Sequence, residues 1–218
     1  MSIYLAKEWE VRALLAGRVT RLVIPIKTCK PPWNMSGDWT RTRRMKLRLS
    51  APQSGAIAEA CPLRDEILFK ETWCRASTEY GIPPQDGRPI ISDRWAYYQA
   101  SDPAVEHTDH DGSPWQSAAR MPPEWVRIRR RIASVTAKRL PDLTTADATG
   151  CGLGVITKDG TLYKHGIPDR DGLPGTDNTG WPWHEWEVDP RDALRRVLAE
   201  RYKVVDWVWI IGLDVASG

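Results

Sequence analysis

A chain of 218 residues, 41% hydrophobic and 27% charged with a formal net charge of +3, has the composition of a soluble globular protein long enough to bury its own core. No stretch approaches about 20 consecutive apolar residues, which excludes a membrane-spanning helix, and residues 1–8 lack the basic-then-apolar order of a secretory signal. Four widely separated cysteines, Cys29, Cys61, Cys74 and Cys151, argue against a disulfide framework or a zinc knuckle and read as reduced thiols of a cytoplasmic protein.

In chain order, residues 3–5 predict a short strand. Residues 7–16 predict a helix, because Val11, Leu14 and Leu15 fall at i, i+3 and i+4 and Gly17 supplies a stop. Leu22, Ile24 and Ile26 alternate as a half-buried strand that Pro31 and Pro32 end. Residues 32–59 lack a sustained period and predict a first long insertion. A basic cluster overlaps it: Lys27, Lys30, Arg41, Arg43, Arg44, Lys46 and Arg48 stand against one acid, Asp38. Residues 67–73 are rich in strand formers and predict one continuous strand. A second loop-like insertion, residues 76–123, holds a short strand candidate at 95–100 and an acidic stretch from Asp102 to Asp111.

Residues 126–138 predict a long strand. Val126, Ile128 and Ile132 share one face and Arg127, Arg129 and Arg131 the other. The apolar parity then moves to Ala133, Val135 and Ala137, which predicts a β-bulge near residues 132–134. With Arg120, Arg130, Lys138 and Arg139 this is a second basic cluster, containing the single acid Glu124. Such density either attracts polyanions or is merely a solvated face. Thr144 or Thr145 caps a short helix stopped by Gly150. Residues 157–187, rich in Gly, Pro and Trp, predict a third insertion. Asp189 and Pro190 open a helix that continues to Tyr202, and residues 207–211 form a last strand. The fold class is therefore α+β: a small, closed or nearly closed β-barrel with two or three short helices and long loop insertions. Leu22, Ile24, Phe69, Ile128, Ile132, Val208 and Ile210 are expected to share a single core.

Four segments, in this order, resemble the phage and prophage type of the ASCH domain family in the PUA-like superfamily. The first is residues 11–20, a helix running into Gly17-Arg18-Val19-Thr20. The second is Cys61-Pro62 and Asp65 followed by the strand that ends in Lys70-Glu71-Thr72-Trp73. The third is Met121-Pro122 and Trp125, the long strand, and then residues 139–148. The fourth is the terminal strand, residues 207–211. Together they span a little under half the chain, and the insertions match nothing in the family. The resemblance implies one ASCH/PUA-like domain over residues 1–218, with insertions at about 32–59, 76–123 and 157–187.

The superfamily includes RNA-binding modules, readers of modified bases, and amidohydrolases that use a Thr-Lys-Glu constellation on acylated cytidine. In this sequence the positions matching that Lys, Thr and Glu are Val19, Leu22 and Cys151. Val and Leu have no proton to exchange, so the resemblance implies no catalytic residues here, and no cofactor or metal is expected. What it implies instead is a non-catalytic, nucleic-acid-binding protein of the bacterial host cytoplasm, with single-stranded RNA or DNA as partner. Its cleft residues would be Arg18, Thr20, Lys70, Glu71, Trp73, Arg127, Arg129 and Arg131. Phosphate contacts would supply the affinity and Glu71 would accept from an exocyclic amine; the structural alternative for Glu71 is an ion pair with an arginine of the long strand. Two other function classes remain: an amidohydrolase or nuclease with rearranged groups, and an inhibitor of a host defence protein that binds through its Trp-rich insertions.

Three further motifs have structural and functional readings. Glu106-His107-Thr108-Asp109-His110-Asp111 contains metal-ligating types but has no second ligand set, and reads as a solvated acidic loop. Gly150-Cys151-Gly152-Leu153-Gly154 follows a short helix and precedes a strand, the reverse of a dinucleotide-binding turn, and reads as a helix stop. Trp181, Trp183 and Trp186 form either a base-stacking platform or the patch that fastens an insertion to the barrel, with the second reading preferred.

Overall fold

The structure, a computed structural model, describes residues 2–26, 39–41, 46–49, 57–60, 65–77, 85, 88–102, 115–175, 179–202 and 207–214. Among them the chain forms β1 (Ser2–Leu5), α1 (Glu8–Leu15), β2 (Arg21–Pro25), β3 (Trp39–Arg41), β4 (Lys46–Leu49), β5 (Ile57–Ala60), β6 (Glu66–Lys70), β7 (Trp73–Ser77) and β8 (Arg94–Tyr98). There follow β9 (Ile128–Arg139), α2 (Thr145–Thr149), β10 (Gly154–Thr157), β11 (Tyr163–Gly166), α3 (Pro190–Arg201) and β12 (Trp207–Leu213). The protein is α+β, and its centre is a mixed five-stranded sheet, ordered β1-β6-β9-β12-β2 and curled into a half-barrel. No helix among the described residues is long and apolar enough to cross a membrane.

The twelve-residue strand β9 is the spine of the sheet. Its first four residues pair with β6, from Ile128 opposite Phe69 to Arg131 opposite Glu66. The rest pair with β12, from Ile132 opposite Leu213 to Arg139 opposite Trp207. Between Leu213–Ile132 and Gly212–Ser134 the register skips Ala133. This is the bulge that the shift in apolar parity signals, and it falls where β9 changes partners.

The expectation of one core is corrected, and the reason is β12. It lies inside the sheet, so its apolar run points alternately into two cores, as in strands covered on both faces. Trp209 and Ile211 join Leu22, Phe69 and Ile128 on the face covered by Val11, Ala13 and Leu14 of α1. Val208 and Ile210 join Val23 on the opposite face, beneath Ala148 of α2, Leu194 and Leu198 of α3, and Trp181 and Trp186. A third cluster, Leu68, Trp73, Ala96, Tyr98, Met121, Trp125 and Val126, covers the β6 end of that second face.

The insertions hold more regular structure than their composition signals. Residues 32–59 contain the three-stranded antiparallel sheet β3-β4-β5, whose alternation lasts only three or four residues per strand. The single strand expected over residues 67–73 is two strands, β6 and β7, broken at Glu71-Thr72, and β7 pairs with β8 as a hairpin. At the third insertion β11 folds back on β10, which runs up to its start, as another hairpin in which Gly154 faces Gly166. A Cβ on Gly166 would lie 2.6 Å from the indole of Trp186, so the paired glycines make the seat for that ring. Trp181 and Trp186 are thus the fastening patch.

Candidate functional site

On the face that carries the second and third clusters, β9 is covered at both ends and open between. At one end Leu68 is buried opposite Arg129, under Met121 and Trp125. At the other, Lys138 runs into the α2 region. Between them Arg129, Arg131, Ser134 and Thr136 are exposed. Arg129 reaches only the carbonyl of Pro123 at 3.4 Å, and the Arg131 side chain has no hydrogen bond or ion pair among the described residues. Glu66 stands opposite Arg131 in register, yet the two form no ion pair. Across from Ser134 lies Gly212, where a Cβ would press on the serine hydroxyl, so the floor of this strip stays low. Alternate residues of a strand are about 6.7 Å apart, which sets along one line two guanidinium groups that have no acidic partner among the described residues.

Arg127 belongs to a different assembly. Its Nε and Nη2 donate to the two carboxylate oxygens of Glu71 at 2.8 and 2.9 Å, and Nη1 donates to the Ser101 hydroxyl at 2.9 Å. Its guanidinium carbon lies 4.0 Å from the centre of the Tyr98 ring. Arg88 approaches the same ring and pairs with Asp102, which accepts from the Tyr98 amide at 2.9 Å. Burial pushes the Glu71 carboxyl up, against the opposing pull of Arg127. Glu71 is 2% exposed, so the ion-pair alternative describes its position: it anchors the β7–β8 hairpin to the start of β9. Trp73 is buried 5.0 Å from Trp125 and offers no open face for a base. Lys70 is buried as well, and its ammonium has no polar partner among the described residues.

Arg18 and Thr20 stand elsewhere. Thr20 gives its amide to Gly150 and accepts from the Leu213 amide, which puts it level with Ile132, whereas Lys70 and Glu71 lie past Ile128. Arg18 donates to the carbonyl of Gly152 at 3.2 Å. The eight expected cleft residues therefore form three groups: Arg18 with Thr20, Lys70 with Glu71, Trp73 and Arg127, and the exposed pair Arg129 and Arg131.

Val19, Leu22 and Cys151 do converge. Val19 and Cys151 form a β-bridge, and all three line one cavity of about 30 Å³, room for a water molecule or two. Cys151 donates to the carbonyl of Asp147 at 3.2 Å, and burial pushes its thiol well above the ordinary range, so it is a packed, inert cysteine. Cys74 is also buried. The run from Gly150 to Gly154 is a helix stop and turn: Gly150 ends α2, Gly152 has φ +84°, and β10 begins at Gly154.

Two polar clusters went unread in the sequence. Asp147, 1% exposed, takes Lys138 at 2.5 Å, the Thr144 amide at 2.9 Å, the Thr144 hydroxyl at 2.7 Å, and Arg21. Burial alone would raise its carboxyl; the contacts with Lys138 and Thr144 outweigh it and hold the group at about 2. Half of this was legible, since Thr144-x-x-Asp147 is a capping box. The second cluster joins Tyr4, Glu10 and Arg201. Tyr4 donates to Glu10 at 2.7 Å, and Arg201 donates to Tyr4 at 2.8 Å and to Glu10 at 2.9 Å. Its members are up to 197 positions apart, and no local signal links them. The Glu106–Asp111 stretch lies outside the described residues, and among those described no group of three or more His, Cys, Asp or Glu is placed to hold a metal.

Fold and site together define an α+β protein whose half-barrel sheet carries an open, arginine-bearing strip between two covered ends. Comparison with known proteins finds no matching family model, no similar curated protein and no similar solved structure.

Proposed function

We propose that the protein is a non-catalytic, single-stranded nucleic-acid-binding protein on a PUA-like half-barrel of the ASCH type, of phage or prophage origin and at work in the host cytoplasm. The observation that carries this reading is the exposed strip of β9. Among the described residues Arg129 and Arg131 have no acidic partner there, and Ser134 and Thr136 continue the line with hydroxyl groups. Free guanidinium groups at strand spacing suit successive phosphates of one strand, and hydroxyls add neutral phosphate contacts. The non-catalytic part is supported by the side chains at the three matched positions, since Val19 and Leu22 have no proton to exchange and burial pushes the Cys151 thiol up.

Titrating labelled single-stranded RNA and DNA by fluorescence anisotropy at several salt concentrations tests it. Each neutralised phosphate contributes about −0.7 to the slope of log affinity against log salt, so the double variant R129A/R131A should bind more weakly and flatten the slope by about 1.4. Absence of binding at low salt, where attraction is strongest, rejects the reading.

That result would favour a second reading, a host protein as partner. Its support is the β10–β11 hairpin at the start of the third insertion, where Val155, just before it, and Tyr163, within it, share one face and are each 52% exposed.

A further inference from the structure

An acid stands on the arginine strip without a partner. Ile67 and Phe69 of β6 join the first core and Leu68 the third cluster, so the side chains of β6 alternate between the faces and Glu66 projects with Leu68. That is the face of Arg129 and Arg131, and Arg131 is the register partner of Glu66. Opposite charges at facing positions of an antiparallel pair ordinarily meet and stabilise it. Here the half-buried Glu66 has no hydrogen bond or ion pair among the described residues. Arg130 is turned away from it, facing Ile67 in register and donating to the Leu14 carbonyl on the other side of the sheet.

The edge strand β1 continues this surface. Ser2 and Tyr4 are buried, whereas Ile3 is 52% exposed and pairs with Leu68, which puts it on the face of Glu66. Neighbouring strands are about 4.8 Å apart, so within about 10 Å the face passes from guanidinium groups on β9 to a carboxylate on β6 and an open apolar side chain on β1. These suit the parts of one nucleotide: phosphate for guanidinium, base edge for carboxylate, base face for the apolar group. A carboxylate beside a phosphate track repels the backbone, so Glu66 weakens binding unless it meets the base. It can only accept hydrogen bonds. Cytosine and adenine present an exocyclic amine that donates, whereas uracil and thymine present a carbonyl that cannot.

We propose that Glu66 sets the base preference of the strip: it accepts from the exocyclic amine of an unstacked cytosine or adenine whose face lies on Ile3 and whose phosphate is held by Arg129 or Arg131. This base contact presupposes that the strip holds a single strand, and it adds to that reading a preference for amine-bearing bases.

Fluorescence anisotropy of the whole chain with labelled oligocytidine, oligoadenosine and oligouridine of equal length, at neutral pH and several salt concentrations, tests it. The cytidine and adenosine strands should bind at least about fivefold more tightly than the uridine strand, the lower end for a specific base contact. E66Q, whose amide both donates and accepts, should bring the three affinities within about twofold of one another. I3S should weaken all three and leave their ratio as it was. A cytidine strand dimethylated at its exocyclic nitrogen keeps the ring and loses the donor hydrogens, so on the wild-type chain it should bind no better than oligouridine, a readout that needs no variant. Absence of binding by every strand at low salt rejects the strip and the base contact together. Strands that bind, with a salt slope that R129A/R131A flattens, leave the strip standing; the Glu66 contact is then overturned if the three bases bind equally, if the dimethylated strand binds as oligocytidine does, or if E66Q strengthens all three by one factor, as loss of a mere surface acid would. Affinities unmoved by I3S would overturn the seat on Ile3.

Discussion

Glu71 and Arg127 decide how the arginines before and within β9 divide their work. The pair is two-pronged, Glu71 is 2% exposed and Arg127 is 20% exposed, so Arg127 is spent on holding the hairpin while Arg129 and Arg131, two and four positions on, have no acidic partner among the described residues. Removing one partner of such a pair leaves a charge without compensation and costs about 3–5 kcal/mol, whereas replacing both by apolar side chains is often close to neutral. Because Arg127 retains some contact with water, the lower end applies. Glu71→Leu and Arg127→Met should each destabilise the protein by about 3 kcal/mol, and the double variant E71L/R127M by less than either. Urea unfolding midpoints check this; singles that simply add up in the double would mean the pair is not coupled. The sequence made Glu71 visible as a carboxylate in a strand and offered an ion pair with an arginine of the long strand as one of two readings, but not which arginine: Arg127, 56 positions away, occupies both its oxygens.

At the scale of elements, Asp147 ties three of them together: α2 through the Thr144 cap, β9 through Lys138 and β2 through Arg21. Its carboxyl stands at about 2 in the fold, below the roughly 3.9 of an unfolded aspartate. A depressed acid contributes stability that is fully present above the unfolded value and is lost as pH falls toward the folded one. The window is therefore about pH 4 down to pH 2. The shift corresponds to about 2–3 kcal/mol, reduced to about 1–2 because Arg21 and Lys138 are about a third exposed. Asp147→Asn should weaken the fold at neutral pH and remove most of that acid limb; a variant that still loses stability over pH 4 to 2 as the wild type does would place the sensitivity elsewhere. Elements whose signal is local were legible: the α1 stripe with its Gly17 stop, the Thr144 cap, Asp189-Pro190 and the β9 bulge. The break between β6 and β7 was not, because Glu71-Thr72 sits in an unbroken run of strand formers and only the turn toward β8 separates the two strands.

For the whole molecule, the sheet order follows from long-range pairing that no window of sequence contains, and it sets a hierarchy of stability. β12 lies between β9 and β2 and contributes to both major cores, so its amides open only when the molecule unfolds. The β7–β8 hairpin is attached through the third cluster and the Glu71–Arg127 pair, and it can open while the remaining sheet stays folded. The two openings respond differently to mutation. Ile210→Val, in the second core, lowers global stability by about 0.5–1.5 kcal/mol, so β12 amides should exchange roughly 2- to 13-fold faster while hairpin amides, whose opening leaves Ile210 packed, hold their rate. Arg127→Met lowers the free energy of any opening that breaks the Glu71 contact, local or global, so both sets should exchange faster. Hydrogen exchange followed by mass spectrometry separates these outcomes. Hairpin amides that accelerate in I210V as much as those of β12 would mean that the hairpin opens only with the whole molecule, and that the three clusters unfold as one cooperative unit.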